Sequence, residues 1–313
     1  MSNRYVIISP CRNEEKFMRQ TLESVIAQTV QPTKWIIVDD GSTDQTPDIL
    51  KEYTQKHDWI TVITRKDRGH RAVGPGVIDA FYAGYDTIDT NKYEYFCKLD
   101  LDLRLPERYF EILLQRMKQI PRLGTCSGKS YIEREGRLIS ERLSDETSLG
   151  MTKFFRIPCF EDIGGFVRQV NWDGIDCHCC RMKGWIACSW DEPELRFIHL
   201  RPMSSSQVSI LHGRRRQGYG QYYTGTGLLY MLAVTVNRSI EKPYIIGSGA
   251  MLWSWIINAL RKNPRYTDNH PEFRDFLRKF QLNALLRGKE YALQQIYRKK
   301  GIDWPLKLHK QDQ

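Results

Sequence analysis

A chain of 313 residues with 41% hydrophobic and 12% aromatic residues can bury a full core, which excludes a disordered or fibrous protein. Its 47 basic and 37 acidic residues leave a formal charge of +10, which suits nucleic acid, an anionic membrane surface or phosphorylated substrates. No recognisable nucleic-acid-binding motif accompanies that charge, so no nucleic acid is expected and the other two partners remain.

Residues 1–4 pass straight into an apolar run without a signal-peptide pattern, so the protein is expected to be cytoplasmic and its eight cysteines reduced. Tyr5-Val6-Ile7-Ile8 has the continuous apolar character of a strand buried on both faces. Asn13 can then cap a helix whose Met18, Leu22, Val25 and Ile26 share one face. Trp35 to Val38 is a second buried strand ending in Asp39-Asp40-Gly41-Ser42, and a helix follows from about Thr46 with Ile49, Leu50 and Tyr53 inward. Ile60 to Ile63 is the third strand, Val77 to Ile88 the next helix, and Tyr95 to Leu99 the fourth strand. Pro106 opens a helix carrying Phe110, Leu113, Leu114 and Met117. Such alternation predicts an α/β fold with a mostly parallel sheet and a ligand site at the carboxyl ends of its strands.

Two acidic clusters fall at those ends. Asp100 and Asp102 are two residues apart, and residues so spaced on a strand share a side. Two carboxylates held that close call for a cation, and oxygen ligation suits Mg²⁺ or Mn²⁺. A bare pair of this kind is also what solvated turn carboxylates look like; the strand-end position, shared with Asp39-Asp40, weighs for a ligand site. Asp39 reads equally well as a turn carboxylate. Arg68, His70 and Arg71 form a basic loop cluster that can touch phosphate or ribose, or can simply be solvated.

Beyond Leu123 the alternation loosens. Ser130-Tyr131-Ile132 and Leu138-Ile139-Ser140 read as a hairpin, followed by Gly164-Gly165-Phe166 and then Asn171 to Asp176. Cys177, His178, Cys179, Cys180 and Cys188 invite a zinc reading, but adjacent helical positions do not share a face, so buried thiols are expected. Residues 225–236 and 244–260 are apolar, helix-compatible, free of charge and bracketed by Arg214-Arg215-Arg216, Arg238, Lys242, Arg261, Lys262 and Arg265. The second is short of the ~20 apolar residues that span a bilayer. It reads either as a helix lying in a membrane interface or as one packed on the rest of the chain.

Ser9-Pro10-Cys11-Arg12-Asn13-Glu14-Glu15, Val38-Asp39-Asp40-Gly41-Ser42-Thr43-Asp44 and Asp100-Leu101-Asp102 together resemble the successive signatures of glycosyltransferase family 2. The likeness covers about residues 4–120 and extends through Gly164-Gly165-Phe166 and Trp172-Asp173 to about residue 200. It implies the GT-A fold and inverting hexosyl transfer from a nucleotide-sugar to a saccharide or lipid-linked acceptor in polysaccharide or glycoconjugate synthesis. UDP is the expected nucleotide, and GDP and dTDP donors use related sites. The resemblance implies that Asp40 accepts from the base, that Pro10, Arg12, Glu14 and Asp100 line the nucleotide-sugar, where Arg71 of the basic loop cluster is also expected, and that Asp102, Asp100 and His199 hold Mn²⁺ or Mg²⁺. Asp173 falls at the general base, with Trp172 where the family often has glutamate, and Asp176 is the alternative.

The expected layout is a catalytic domain over 1–212, with a nucleotide-binding half (1–120) and an acceptor and base half (121–212). A helical region over 213–313 follows, able to seat the protein peripherally on the inner face of a membrane. The competing readings are a non-catalytic nucleotide-sugar-binding protein and a nucleotidylyltransferase. The latter wants a Gly-rich, basic first loop, which Pro10 to Glu14 is not.

Overall fold

The computed structural model describes residues 4–69, 74–201, 209–240 and 243–304. The chain divides into two compact units, one of Met1–Cys180 and Trp185–Ser206, the other of Arg181–Gly184 and Gln207–Gln313.

The first unit opens with β1 (Tyr5–Cys11), α1 (Met18–Ile26), β2 (Lys34–Asp39), α2 (Thr46–Lys56), β3 (Ile60–Thr64), α3 (Pro75–Tyr85) and β4 (Tyr95–Leu99). It continues with β5 (Leu103–Arg104), α4 (Tyr109–Gln119), β6 (Leu123–Ser127), β7 (Lys129–Arg134), β8 (Arg137–Ser140) and β9 (Thr152–Arg156). Then come α5 (Ile157–Asp162), α6 (Trp172–Lys183), β10 (Ile186–Ser189) and β11 (Arg196–His199). Seven strands form one sheet in the order β10-β6-β9-β4-β1-β2-β3. All run parallel except β9, which pairs antiparallel with both β4 and β6. A smaller sheet has the order β5-β11-β7-β8, and its β7–β8 hairpin pairs Ile132 with Ile139 as the sequence predicts.

The continuous apolar strands are buried on both faces because helices cover both. Val6, Ile8, Ile36 and Val38 pack on Ile78 and Phe81 of α3, and the cluster extends through Phe96, Phe155, Phe160 and Phe166 to Trp172. Phe166 meets Trp172 edge-on at 4.6 Å between ring centroids, so aromatic packing fixes where α6 begins.

Two boundaries differ from the sequence reading, each for a local reason. Asn13 does not cap α1, which starts at Met18; Asn13 is left-handed (φ 53°) and its side chain accepts from Thr43 N at 2.8 Å. Gly225 does not open the first apolar helix of the second unit. It closes α7 (Ile210–Thr224) with φ 94°, a conformation suited to glycine. The rest of that unit is α8 (Leu228–Arg238), α9 (Tyr244–Leu260), α10 (Tyr266–Asn269), α11 (Pro271–Arg287) and α12 (Lys289–Arg298). Tyr222, Met231, Met251 and Trp255 form its core under α7–α9. Among the described residues no helix is long and apolar enough to cross a membrane.

Candidate active site

The carboxyl ends of β1, β2 and β4 lie side by side, with Cys11 in register with Asp39. The chain leaving β1 and the chain leaving β2 lock onto each other. Asn13 N donates to Ser42 Oγ at 2.9 Å, Glu14 N to Thr46 Oγ1 at 2.9 Å, and Gln45 N to Glu15 Oε2 at 2.9 Å. Asp39 accepts from Ser42 N at 3.0 Å, the turn role its position allows. Much of these two motifs is therefore scaffolding that presents the remaining side chains.

Asp40 is one of those presented. It is 7% exposed, with Arg65 Nη1 on Oδ1 at 2.9 Å and Arg68 Nη2 on Oδ2. Arg12 donates to the Asp40 carbonyl and pairs with Asp67, and its two contacts draw the loop after β3 over the end of β2. A carboxylate offers about four lone-pair directions, so two guanidinium contacts leave Asp40 room for a further donor. Pro10 sits beside Val38 in the β1–β2 register. Arg71 and His70 lie outside the described residues.

The second acidic cluster follows β4. The sheet pairing stops at Leu99, so Asp100 and Asp102 stand in a bend rather than on the strand, and strand alternation does not apply to them. They take separate partners. Asp100 bonds the ammonium of Lys98, which also donates to Gly150 O at 2.9 Å. Burial raises the Asp100 pKa, against the opposing pull of Lys98 and with help from Asp102, although 34% of its side chain stays open to solvent.

Asp102 faces His199 Nε2 at 3.7 Å and Arg201 Nε at 3.5 Å. Burial pushes its pKa up, but His199 and Arg201 overcome that, and the carboxyl lies below its usual range. His199 ends β11, whose antiparallel pairing with β5 sets His199 against Leu103, next in sequence to Asp102. Its Nδ1 lies 3.0 Å from Glu141 Oε2, and Ser130 Oγ donates to the same oxygen. Burial lowers the imidazole pKa, but the two carboxylates outweigh it and raise it to about 9. Arg201 also pairs with Glu14, which is 5% exposed, so one guanidinium ties the first motif to Asp102.

The three expected metal ligands do not converge as a trio. Among the described residues no group of three or more His, Cys, Asp and Glu side chains is arranged to hold a metal. Asp102 and His199 adjoin, while Asp100 turns to Lys98. An imidazole beside a carboxylate, its other nitrogen held by Glu141, is nonetheless a fitting donor set for Mn²⁺. Magnesium-type sites commonly take only one or two protein carboxylates and fill the rest with water and substrate phosphates.

Asp173 occupies the first turn of α6 and is partly exposed. Its Oδ2 packs against the Gly150 backbone, so close that a Cβ there would sit 2.8 Å away. Gly150 thus adjoins both Asp173 and Lys98. Asp176 lies about one turn further along α6. It is fully buried and pairs with Lys153 at 2.6 Å, and burial lifts its pKa to about 6 against the pull of that lysine. Lys153 also donates to Asp173 O at 2.8 Å, anchoring the start of α6. The eight cysteines are buried and none is disulfide-bonded. Lys98, Lys153, Glu141, Arg65 and Arg201 had no reading from the sequence. A lone lysine inside each of two apolar strands, β4 and β9, was the available signal.

The chain matches the profile of Glycosyl transferase family 2 over residues 6–182, more than half its length. A poly-β-1,6-N-acetyl-D-glucosamine synthase of Staphylococcus epidermidis is 27% identical over 132 residues, covering 42% of this chain and 29% of that relative. The chain thus matches under a third of that relative's length. Among solved structures, a mannosyltransferase of Pyrobaculum calidifontis in complex with GDP-Man and Mn²⁺ superposes with a TM-score of 0.51 at 16% identity, covering 95% of this chain and 86% of the other. Residues 1–349 of S. aureus TarS in complex with UDP-GlcNAc give a TM-score of 0.50 at 14% identity, covering 96% and 93%. The fold is GT-A, a mixed sheet with flanking helices and a helical C-terminal region.

Proposed function

The chain belongs to glycosyl transferase family 2, and we propose that it moves a sugar, with inversion, from a nucleoside diphosphate donor to a saccharide or lipid-linked acceptor. UDP is the proposed nucleotide, in line with the UDP-GlcNAc complex of TarS. Residues 1–212 would form the catalytic domain, its nucleotide half in 1–120, and 213–313 a helical region that seats it peripherally at a membrane.

The observation that carries this reading is the gathering of Glu14, Asp102, His199 and Arg201 beside the ends of β1 and β4. In the proposed site Asp40 accepts from the base, Pro10, Arg12 and Glu14 line base and ribose, and Arg71 meets phosphate or ribose. Asp102 and His199 would hold Mn²⁺ or Mg²⁺, with Asp100 alongside. When bound, such an ion offsets the charge that collects on the departing diphosphate. Arg201 brings a fixed guanidinium to the same place.

Asp173 would take the proton of the attacking acceptor hydroxyl, which a single inverting displacement requires. Its partial exposure supports that role, whereas the burial of Asp176 against Lys153 supports a structural ion pair for Asp176. UDP release from UDP-GlcNAc with a panel of saccharide acceptors tests the reading. Asp173→Asn should bind UDP with Mn²⁺ as the parent does and lose transfer by about 10²–10⁴-fold. Full activity in that variant would refute the base. A parent that binds donor but releases no UDP would favour the non-catalytic binding protein.

A further inference from the structure

A helix that packs one face on a core normally shows polar residues on the other. In the second unit α9 does not. Gly247, Ser248, Met251 and Trp255 are buried, yet Ile246, Trp253 and Leu260 are 70%, 58% and 73% exposed. These three are seven residues apart, so they form one stripe along the outward side. Its neighbour α8 buries Met231 and likewise exposes Leu229, Leu232 and Val236, spaced three and four apart.

The charge around these stripes is predominantly positive. Residues 202–267 contain eight basic side chains and a single acid, Glu241. Arg261 and Lys262 are exposed directly after Leu260. Arg214 and Arg238 both donate to Gln217 Oε1, at 3.3 and 3.1 Å, which brings the end of α8 beside the basic run of α7.

We propose that the outward face of α8 and α9 is a docking surface for an anionic lipid bilayer, with α9 lying in the interface plane. Apolar side chains entering the acyl boundary and a cationic margin at the headgroups are what such a surface takes. A 17-residue helix is too short to span but long enough to lie flat. A second copy of the chain is the poorer occupant, because it would set two cationic margins against each other. Seating by this face rests on the peripheral location proposed above and not on the sugar chemistry.

The test is sedimentation of the whole protein with phosphatidylcholine vesicles, with and without phosphatidylglycerol, at low and high salt. The expected result is pelleting only with the anionic vesicles and its loss at high salt. Ile246→Asp with Leu260→Asp should cut binding about tenfold, and Arg261→Glu with Lys262→Glu about as much. All four positions are exposed, so circular dichroism should be unchanged. Vesicle binding is separable from donor binding, because a nucleotide-sugar titration of the same variants should match the parent. The protein staying in the supernatant with anionic vesicles would overturn the proposal. So would equal pelleting with neutral vesicles, or variants whose effect is to dissociate a dimer in ultracentrifugation.

Discussion

His199 is held by Glu141 through Nδ1 and turns Nε2 toward Asp102. A carboxylate that fixes one imidazole nitrogen leaves the other free to ligate, and such partners typically alter metal affinity 10–100-fold. Two consequences follow from the raised pKa of about 9. In the metal-free protein the imidazolium stabilises the fold fully below the ordinary value of 6.5, and that contribution is lost as pH rises to about 9. Melting temperature should therefore fall across this window, and His199→Gln should flatten the fall; equal slopes in parent and variant would contradict it. A metal competes with that proton, so Mn²⁺ affinity should climb over the same range, read by isothermal titration. Asp40, Asp102 and His199 were legible as single letters at strand ends. Their partners were not, because Arg201 reaches Glu14 across 187 positions and no local pattern announces that return.

At the scale of elements, the turn from α5 to α6 decides where Asp173 stands. Gly164 and Gly165 both have positive φ, at 77° and 81°, and a Cβ on Gly165 would meet Tyr82 Oη at 2.4 Å. That hydroxyl accepts from Phe166 N at 2.7 Å and so pins Phe166 under Trp172. Gly165→Ala should cost about 1–3 kcal/mol of stability through backbone strain and the displaced tyrosine. Chemical denaturation measures it, and an unchanged midpoint would contradict the assignment. Lys153→Met should cost about 3–5 kcal/mol by stranding Asp176, while adding Asp176→Leu should recover most of it. No recovery would mean Lys153 acts mainly on Asp173 O. The strands β1 to β4 and their helices were legible because continuous apolar runs and one-faced helices carry strong periodic signals. The bend holding Asp100 and Asp102 was not, since a strand's end depends on where its partner stops pairing. Nor was the insertion of β9 between β4 and β6, which turns on a pairing distant in sequence.

For the whole molecule, the first unit carries the family's fold and the second carries the exposed apolar helices. The apolar stretches of the second unit were readable as helices from their lack of charge, but which side they expose depends on the close crossing of α7 and α9. There Gly218 approaches the Met251 carbonyl, with room for no Cβ. Residues around Asp40 and Asp102 are proposed to bind a nucleoside diphosphate sugar together with a divalent cation. Thermal shift with UDP-, GDP- and dTDP-sugars, with and without Mn²⁺, in the parent and in Asp102→Asn, tests it most directly. A ligand at about 100 times its dissociation constant adds about 2.7 kcal/mol, or a rise of roughly 5–10 °C. That rise is expected for one nucleotide, only with Mn²⁺, and is expected to be lost in Asp102→Asn. No stabilisation by any nucleotide-sugar, or the same stabilisation without metal and in Asp102→Asn, would contradict it.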